Sequence, residues 1–202
     1  VARDGAALRA SLEPLVADGL NVFAIAADVA DADRADPLIA EAVAKAGPID
    51  VLINNASTLG PVPLPLLLDL SPSALAHTFA VNTIGPHALT RAVAGNMVLR
   101  GQGLILNISS DAAVNHYENW GGYAASKAAL DHLSATLSAE LDGTGVRVLA
   151  IDPGEMNTQM HSDALPDADP STLADPAEVA HRIATLAESA PSGRHLAEGV
   201  RS

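Results

Sequence analysis

The 202-residue chain is 49% hydrophobic and only 17% charged, which excludes disorder and leaves ample length for one full core. Two Phe, two Tyr and one Trp offer no platform for stacking bases, and a formal charge of −13 repels phosphate backbones, so nucleic acid is excluded as a partner. With no Cys, disulfides, thiolate catalysis and cysteine metal sites are excluded too, and no spaced His/carboxylate set argues for a metal.

In chain order, residues 4–17 predict an amphipathic helix with Leu8, Leu12, Leu15 and Val16 on one face, ended by Gly19. Val22 to Ala27 (VFAIAA) reads as a buried strand that delivers Asp28. A helix over 32–46 stops at Gly47-Pro48, and Ile49 to Ile53 is a strand leading into Asn54-Asn55-Ala56. The apolar stretch from Pro61 to Leu70 is broken by three prolines and is too short to span a membrane. Ser71-Pro72 caps the next helix, which is expected to bend or break at Gly85-Pro86 before running on to about Arg100.

Leu104 to Ile108 is a continuous apolar run, the pattern of a strand buried on both faces. It ends in Ser109-Ser110, and a polar loop leads to a helix from Tyr123 to about Leu141. Val146 to Ile151 is a further strand, closing on Asp152-Pro153-Gly154. Residues 155–174 are rich in Asp and Pro without helical or strand period, the pattern of a substrate-side loop. His116, His161 and Asp163 fall near it and read as solvated loop residues. A capped helix follows from Asp175 to about Ser189, and the tail after Gly193 has room for one short strand. The N-terminal VARDGAALRASL has no apolar signal core, so a cytoplasmic protein is the default.

Strands and helices alternate, and the strands are unbroken apolar runs. That pattern predicts a single α/β domain over 1–202, a three-layer, doubly wound parallel sheet of Rossmann-like type. In such sheets ligands bind beyond the carboxyl ends of the strands. Asp28, Asn55, Ser110 and Pro153-Gly154 all sit there. Tyr123 and Lys127 are one helical turn apart, so phenol and ammonium share a face. A hydroxyl at a strand end opposite such a pair is an arrangement for moving a proton.

With these residues in place the sequence resembles the short-chain dehydrogenase/reductase family. Asp28-Val29 matches its acidic residue beside the cofactor adenine, and Asn54-Asn55-Ala56-Ser57 its Asn-Asn-Ala-Gly turn, with Ser for Gly. Asn82-Thr-Ile-Gly85 is similar to its Asn-x-x-Gly, Ser110 lies thirteen residues before Tyr123, and Tyr123-Ala-Ala-Ser-Lys127 is similar to its active-site signature. Pro153-Gly154, with Met156 and Thr158, resembles the turn that contacts nicotinamide. The resemblance implies a hydride transfer between NAD or NADP and an alcohol or ketone. Tyr123 would be the general acid/base, Ser110 and Lys127 its partners, and Asn82 the support of a water chain. The resemblance also implies a homodimer or homotetramer built on the Tyr123 helix and the helix before it. A free phenol titrates near 10, and working at neutral pH requires a lowering of about 3 units, roughly 4 kcal/mol. Lysine and the oxidised nicotinamide would supply it.

The family's opening strand and glycine-rich turn have no counterpart here, since no G-x-x-x-G-x-G occurs. By motif alignment Val1-Ala2-Arg3 resembles the exit of the second strand, so the fold is expected to be N-terminally incomplete, part of a longer enzyme. In the order 3-2-1-4-5-6 that leaves a gap between the strands at Val22 and Ile49 unless they pair directly. Arg3, just after the second strand, gives NADP a mild preference over NAD. The rival reading is a cofactor-deficient member or fragment acting as a binding or oligomerisation subunit.

Overall fold

A computed structural model describes residues 1–198 of the chain. The central apolar runs become parallel strands β1 (Val51–Asn54), β2 (Gly103–Ile108) and β3 (Val146–Asp152), with β4 (Gly193–Leu196) from the tail. They form a four-stranded parallel sheet in the order β1-β2-β3-β4. The helices are α1 (Gly5–Ala17), α2 (Ala35–Ala46), α3 (Pro72–Phe79), α4 (Gly85–Arg100), α5 (Gly121–Glu140), α6 (Gln159–Ala164) and α7 (Pro176–Ser189). Among the described residues, no helix is long and apolar enough to cross a membrane.

Alternation along each strand sends neighbouring side chains to opposite layers. Leu104, Leu106, Leu149 and Ile151 pack with Val179 of α7 on one face. On the other face Ile105, Val146 and Val148 pack with Val93 and Met97 of α4, with Leu137 of α5 and Ile39 of α2 at the margin. Ile105, Leu106, Leu149, Ile151 and Met97 are fully buried, each contributing about 1.5–3 kcal/mol of transfer free energy. This is the doubly wound architecture expected from the unbroken apolar runs, and it carries β2 and β3 deep in the molecule with their carboxyl ends at one rim.

Three expectations change. Val22 to Ala27 does not form a strand of this sheet. It makes a single parallel bridge, Ala2 with Ala26, backed by the Ala27 amide donating to the Ala2 carbonyl at 3.0 Å. It does not pair with β1. An extended segment without a ladder on either side has no hydrogen-bond reason to become a strand, and only Ile25 of the run is buried while Phe23 is 44% exposed. The helix expected at 4–17 forms, capped by Asp4, but none of its residues is buried. Finally, 155–174 is not structureless: the Thr158 hydroxyl accepts the His161 amide at 3.2 Å and caps α6. A bridge between Met156 and Ala174 closes the base of that loop.

Candidate active site

The site is built where α5 crosses the ends of β2 and β3. Tyr123 and Lys127 are both buried on one face of α5. The Lys127 ammonium donates to the Ile108 carbonyl at the end of β2 (2.7 Å) and lies 5.6 Å from the centre of the Tyr123 ring. Trp120 packs edge-on with that ring, their centroids 5.7 Å apart. Where β2 ends, the Ser109 amide reaches across to the Ile151 carbonyl (2.7 Å), which leaves Ser109 and Ser110 at the rim. The Ser110 hydroxyl donates to Asp111 Oδ1 at 3.0 Å and accepts the Ala112 amide at 3.2 Å, while the Ser109 hydroxyl is buried with no partner.

These groups open into one cavity of about 490 Å³. Of the residues singled out in the sequence, Asn55, Ser110, Tyr123 and Lys127 line it, as do Pro153, Gly154, Met156 and Thr158. Arg3, Asp28, Val29, Ala56 and Asn82 are not on its wall. Asp28 Oδ1 accepts the Ala30 amide at 2.9 Å, closing its own turn. Asn54 turns the opposite way from Asn55, into the sheet, where its amide donates to Asn107 Oδ1 at 2.7 Å.

Asn82 lies behind the cavity wall in a π-helical turn, Ala80–Ile84, that joins α3 to α4. The expected break is thus one widened turn in a continuous rod, a feature common at functional sites. The Asn82 amide donates to the Thr58 carbonyl (2.8 Å) and Ser126 hydroxyl (2.9 Å), and its oxygen accepts the Thr58 amide (2.8 Å) and Ser57 hydroxyl (3.1 Å). Both side-chain donors are used in holding the loop after β1 against α5. Ser126, inside the Tyr/Lys signature, donates in turn to the Tyr123 carbonyl at 2.7 Å. Gly85 has its own reason: a Cβ there would stand 2.3 Å from the Val29 carbonyl oxygen.

The electrostatics run against the sequence expectation. Burial pushes the Tyr123 phenol up to about 12, and the Asp111 and Asp152 carboxylates push the same way. The nearby Ser110 and Ser57 hydroxyls pull it down by less. Burial also lowers the Lys127 ammonium to about 8, partly offset by Asp131 one turn further along α5. In the protein by itself the pair is a neutral phenol beside a desolvated ammonium.

Sequence reasoning missed the support for this rim. Asp152 is 2% exposed. Its Oδ1 accepts the Gly154 amide at 3.1 Å, shaping the Pro-Gly turn, and its Oδ2 accepts from Arg194 of β4 at 3.0 Å. Arg194 also donates to Asp131 Oδ2 (2.9 Å) and to the Ser110 carbonyl (3.1 Å). Only the pairing of β3 with β4, Ala150 opposite Arg194, brings that guanidinium to the site, and no spacing along the chain signals it. His161, read as solvated, lines the cavity with both ring nitrogens buried.

Comparison with known proteins identifies the family and the fold. The family profile described as short chain dehydrogenase matches residues 1–169. A short chain dehydrogenase from Pseudocercospora fijiensis (strain CIRAD86) is 33% identical over 163 residues, covering 79% of this chain and 52% of that protein. The 7alpha-hydroxysteroid dehydrogenase of Escherichia coli (strain K12) is 34% identical over 69% of this chain and 53% of its own length. This chain thus spans about half the length of the curated relatives it matches. A metagenomic short-chain oxidoreductase solved in complex with NADP superposes with a TM-score of 0.80 at 31% identity, covering 96% of this chain and 81% of that one. The profile match over most of its length, and the fold that carries it, establish that this chain belongs to the short-chain dehydrogenase/reductase family.

Proposed function

We propose that this chain carries the alcohol/ketone half-site of an NAD(P)-dependent oxidoreductase, with Tyr123 as the group that exchanges a proton with the substrate oxygen. One observation carries the reading: phenol, ammonium and the Ser110 strand end open into the same cavity as the Pro153-Gly154 turn, which comes from a different strand. A carbonyl oxygen seated between the Tyr123 and Ser110 hydroxyls receives a proton from the phenol as it becomes an alcohol, and Ser110 holds that oxygen in place. Ser110 has one proton and now gives it to Asp111, so serving the substrate requires its hydroxyl to turn away from that carboxylate.

The donor set fits the nicotinamide end of a dinucleotide. Asn55, Tyr123 and Lys127 put polar groups on its wall, and two of the Lys127 protons remain after its bond to Ile108. Lys127 would hold the ribose, and the Pro153-Gly154 turn with Met156 and Thr158 would face the ring. The nicotinamide supplies or accepts the hydride when bound. The glycine-rich turn that the resemblance expects at the pyrophosphate has no matching motif in this sequence. Arg3 and the NADP of the metagenomic relative favour NADP over NAD.

Nicotinamide absorbance with a panel of ketones tests the proposal. Turnover that Tyr123→Phe lowers by about 10³-fold supports it; turnover unchanged in that variant removes Tyr123 from the chemistry. A second reading, a non-catalytic subunit assembling through α4 and α5, is favoured by the groove those helices form around Ala94, Leu133 and Leu137. Light scattering for a dimer or tetramer, in a protein without turnover, would select it.

A further inference from the structure

Arg194 stands on the last strand of the sheet, yet its guanidinium reaches inward to one acceptor on each of three elements. It donates to the Ser110 carbonyl past the end of β2 (3.1 Å), to Asp152 Oδ2 at the end of β3 (3.0 Å) and to Asp131 Oδ2 on α5 (2.9 Å). Each acceptor is joined to a group that opens into the cavity. Ser110 carries the hydroxyl, Asp152 shapes the Pro153-Gly154 turn through its other oxygen, and Asp131 stands one helical turn after Lys127. Asp152 is buried and the Asp131 side chain is only 14% exposed, so the cation, more than water, balances both carboxylates.

The guanidinium is placed from both ends of β4. Before it, the Ser192 hydroxyl accepts the Val148 amide at 3.1 Å; after it, the Ala197 amide donates to the Asp152 carbonyl at 2.8 Å. These bonds fix the register that sets Arg194 opposite Ala150. A slip of one residue would turn the side chain to the other face of the sheet. A planar guanidinium presents its donors in fixed directions, so the three acceptors it holds are also held relative to one another.

We propose that Arg194 is a positioning residue for the proton transfer, fixing how the Tyr123/Lys127 helix, the Ser110 strand end and the Pro153-Gly154 turn meet. It acts through those groups and is not on the cavity wall. Its effect on turnover rests on the oxidoreductase reading, whereas its effect on the placement of Lys127 does not.

The chain has two lysines, Lys45 and Lys127, so lysine labelled at the ε-carbon gives two resonances, the first an internal control for the second. In Arg194→Ala the Lys127 resonance is expected to move and the Lys45 resonance to stay. Guanidinium ion, added well below denaturing concentration, should bring the Lys127 resonance back, and sodium chloride at the same ionic strength should not. In turnover, Arg194→Ala should lower kcat by about 10²-fold with KM within about threefold, and guanidinium should recover about tenfold of the loss. If Arg194→Ala does not fold, Arg194→Lys carries the test. A single ammonium keeps the charge but cannot span three acceptors, so it should still move the Lys127 resonance and lower kcat by about tenfold.

A Lys127 resonance that stays in place in a folded variant overturns the role of Arg194. So does one displaced in Arg194→Ala that guanidinium does not restore, since general loosening of the fold gives that result. The two readings fail separately. An Arg194-dependent Lys127 resonance in a protein without turnover overturns the oxidoreductase reading alone. Tyr123-dependent turnover with kcat unchanged in Arg194→Ala overturns the role of Arg194 alone.

Discussion

The two sides of the sheet are built differently. β2 and β3 are paired on both sides and covered on both faces, and the cavity is assembled at their ends. On the β1 side, Val51 and Ile53 are 48% and 56% exposed, although they stand in register with the fully packed Leu104 and Leu106. The neighbouring 22–27 segment makes one bridge instead of a ladder, and α1 buries nothing. Apolar residues in the same register are thus core on β2 and surface on the adjacent β1. Chemistry that needs a desolvated lysine is confined to the covered side, because only full packing excludes enough water to move an ammonium.

The contrast can be broken or sharpened by substitution. Ile151→Ala, in the covered half, should cost roughly 2–5 kcal/mol in urea unfolding; a loss below about 1 kcal/mol would show the two halves to be equally loose. Asn82→Ala leaves the Thr58 amide and carbonyl and the Ser126 hydroxyl without their partner, and should cost about 2–3 kcal/mol. It should also loosen the loop after β1, visible as faster amide exchange at Thr58.

Lys127→Met tests the desolvation itself. The folded ammonium titrates at about 8, against an ordinary 10.5 for lysine in the unfolded chain. Between those values the unfolded chain binds the extra proton, so wild-type stability rises with pH from about 8 to 10.5, while below about 8 the full cost of the buried charge is carried. The variant should therefore be the more stable at pH 7, with its advantage shrinking toward pH 9.5. Tyr123 acts oppositely and higher, holding its proton to about 12 against 10.0 unfolded, so its contribution is full below 10 and fades above it. An advantage of Lys127→Met that does not change with pH would refute the cost of burying that charge. Smallest of all, Ile53→Ala on the open side should shift stability by less than about 1 kcal/mol.

The covered half was also the legible half. The run 104–108 and the Tyr123/Lys127 spacing are local patterns, and local patterns survive into structure when packing agrees with them. VFAIAA at 22–27 has the same local pattern as β2, yet pairing is a property of neighbours, and its neighbours do not supply a ladder. Ser71 and Asp175 could be read as caps because a cap bonds its own helix, as the Ala74 and Ala177 amides show. Arg194 could not be read, since its three partners come from three other elements. The direction of the Tyr123 shift was hidden for a related reason: spacing says that an amine is near, but not how much water the fold removes from both.

Gly85 sits against the Val29 carbonyl at a separation that leaves no room for even a methyl group. Three residues earlier on the same turn, Asn82 grips both the loop after β1 and the Tyr123 helix. A displacement of the chain near residue 29 has almost no slack to dissipate into before it reaches the Tyr123 helix, so that contact is a mechanical link by which events on the sparsely packed flank would be felt at the Tyr123 hydroxyl.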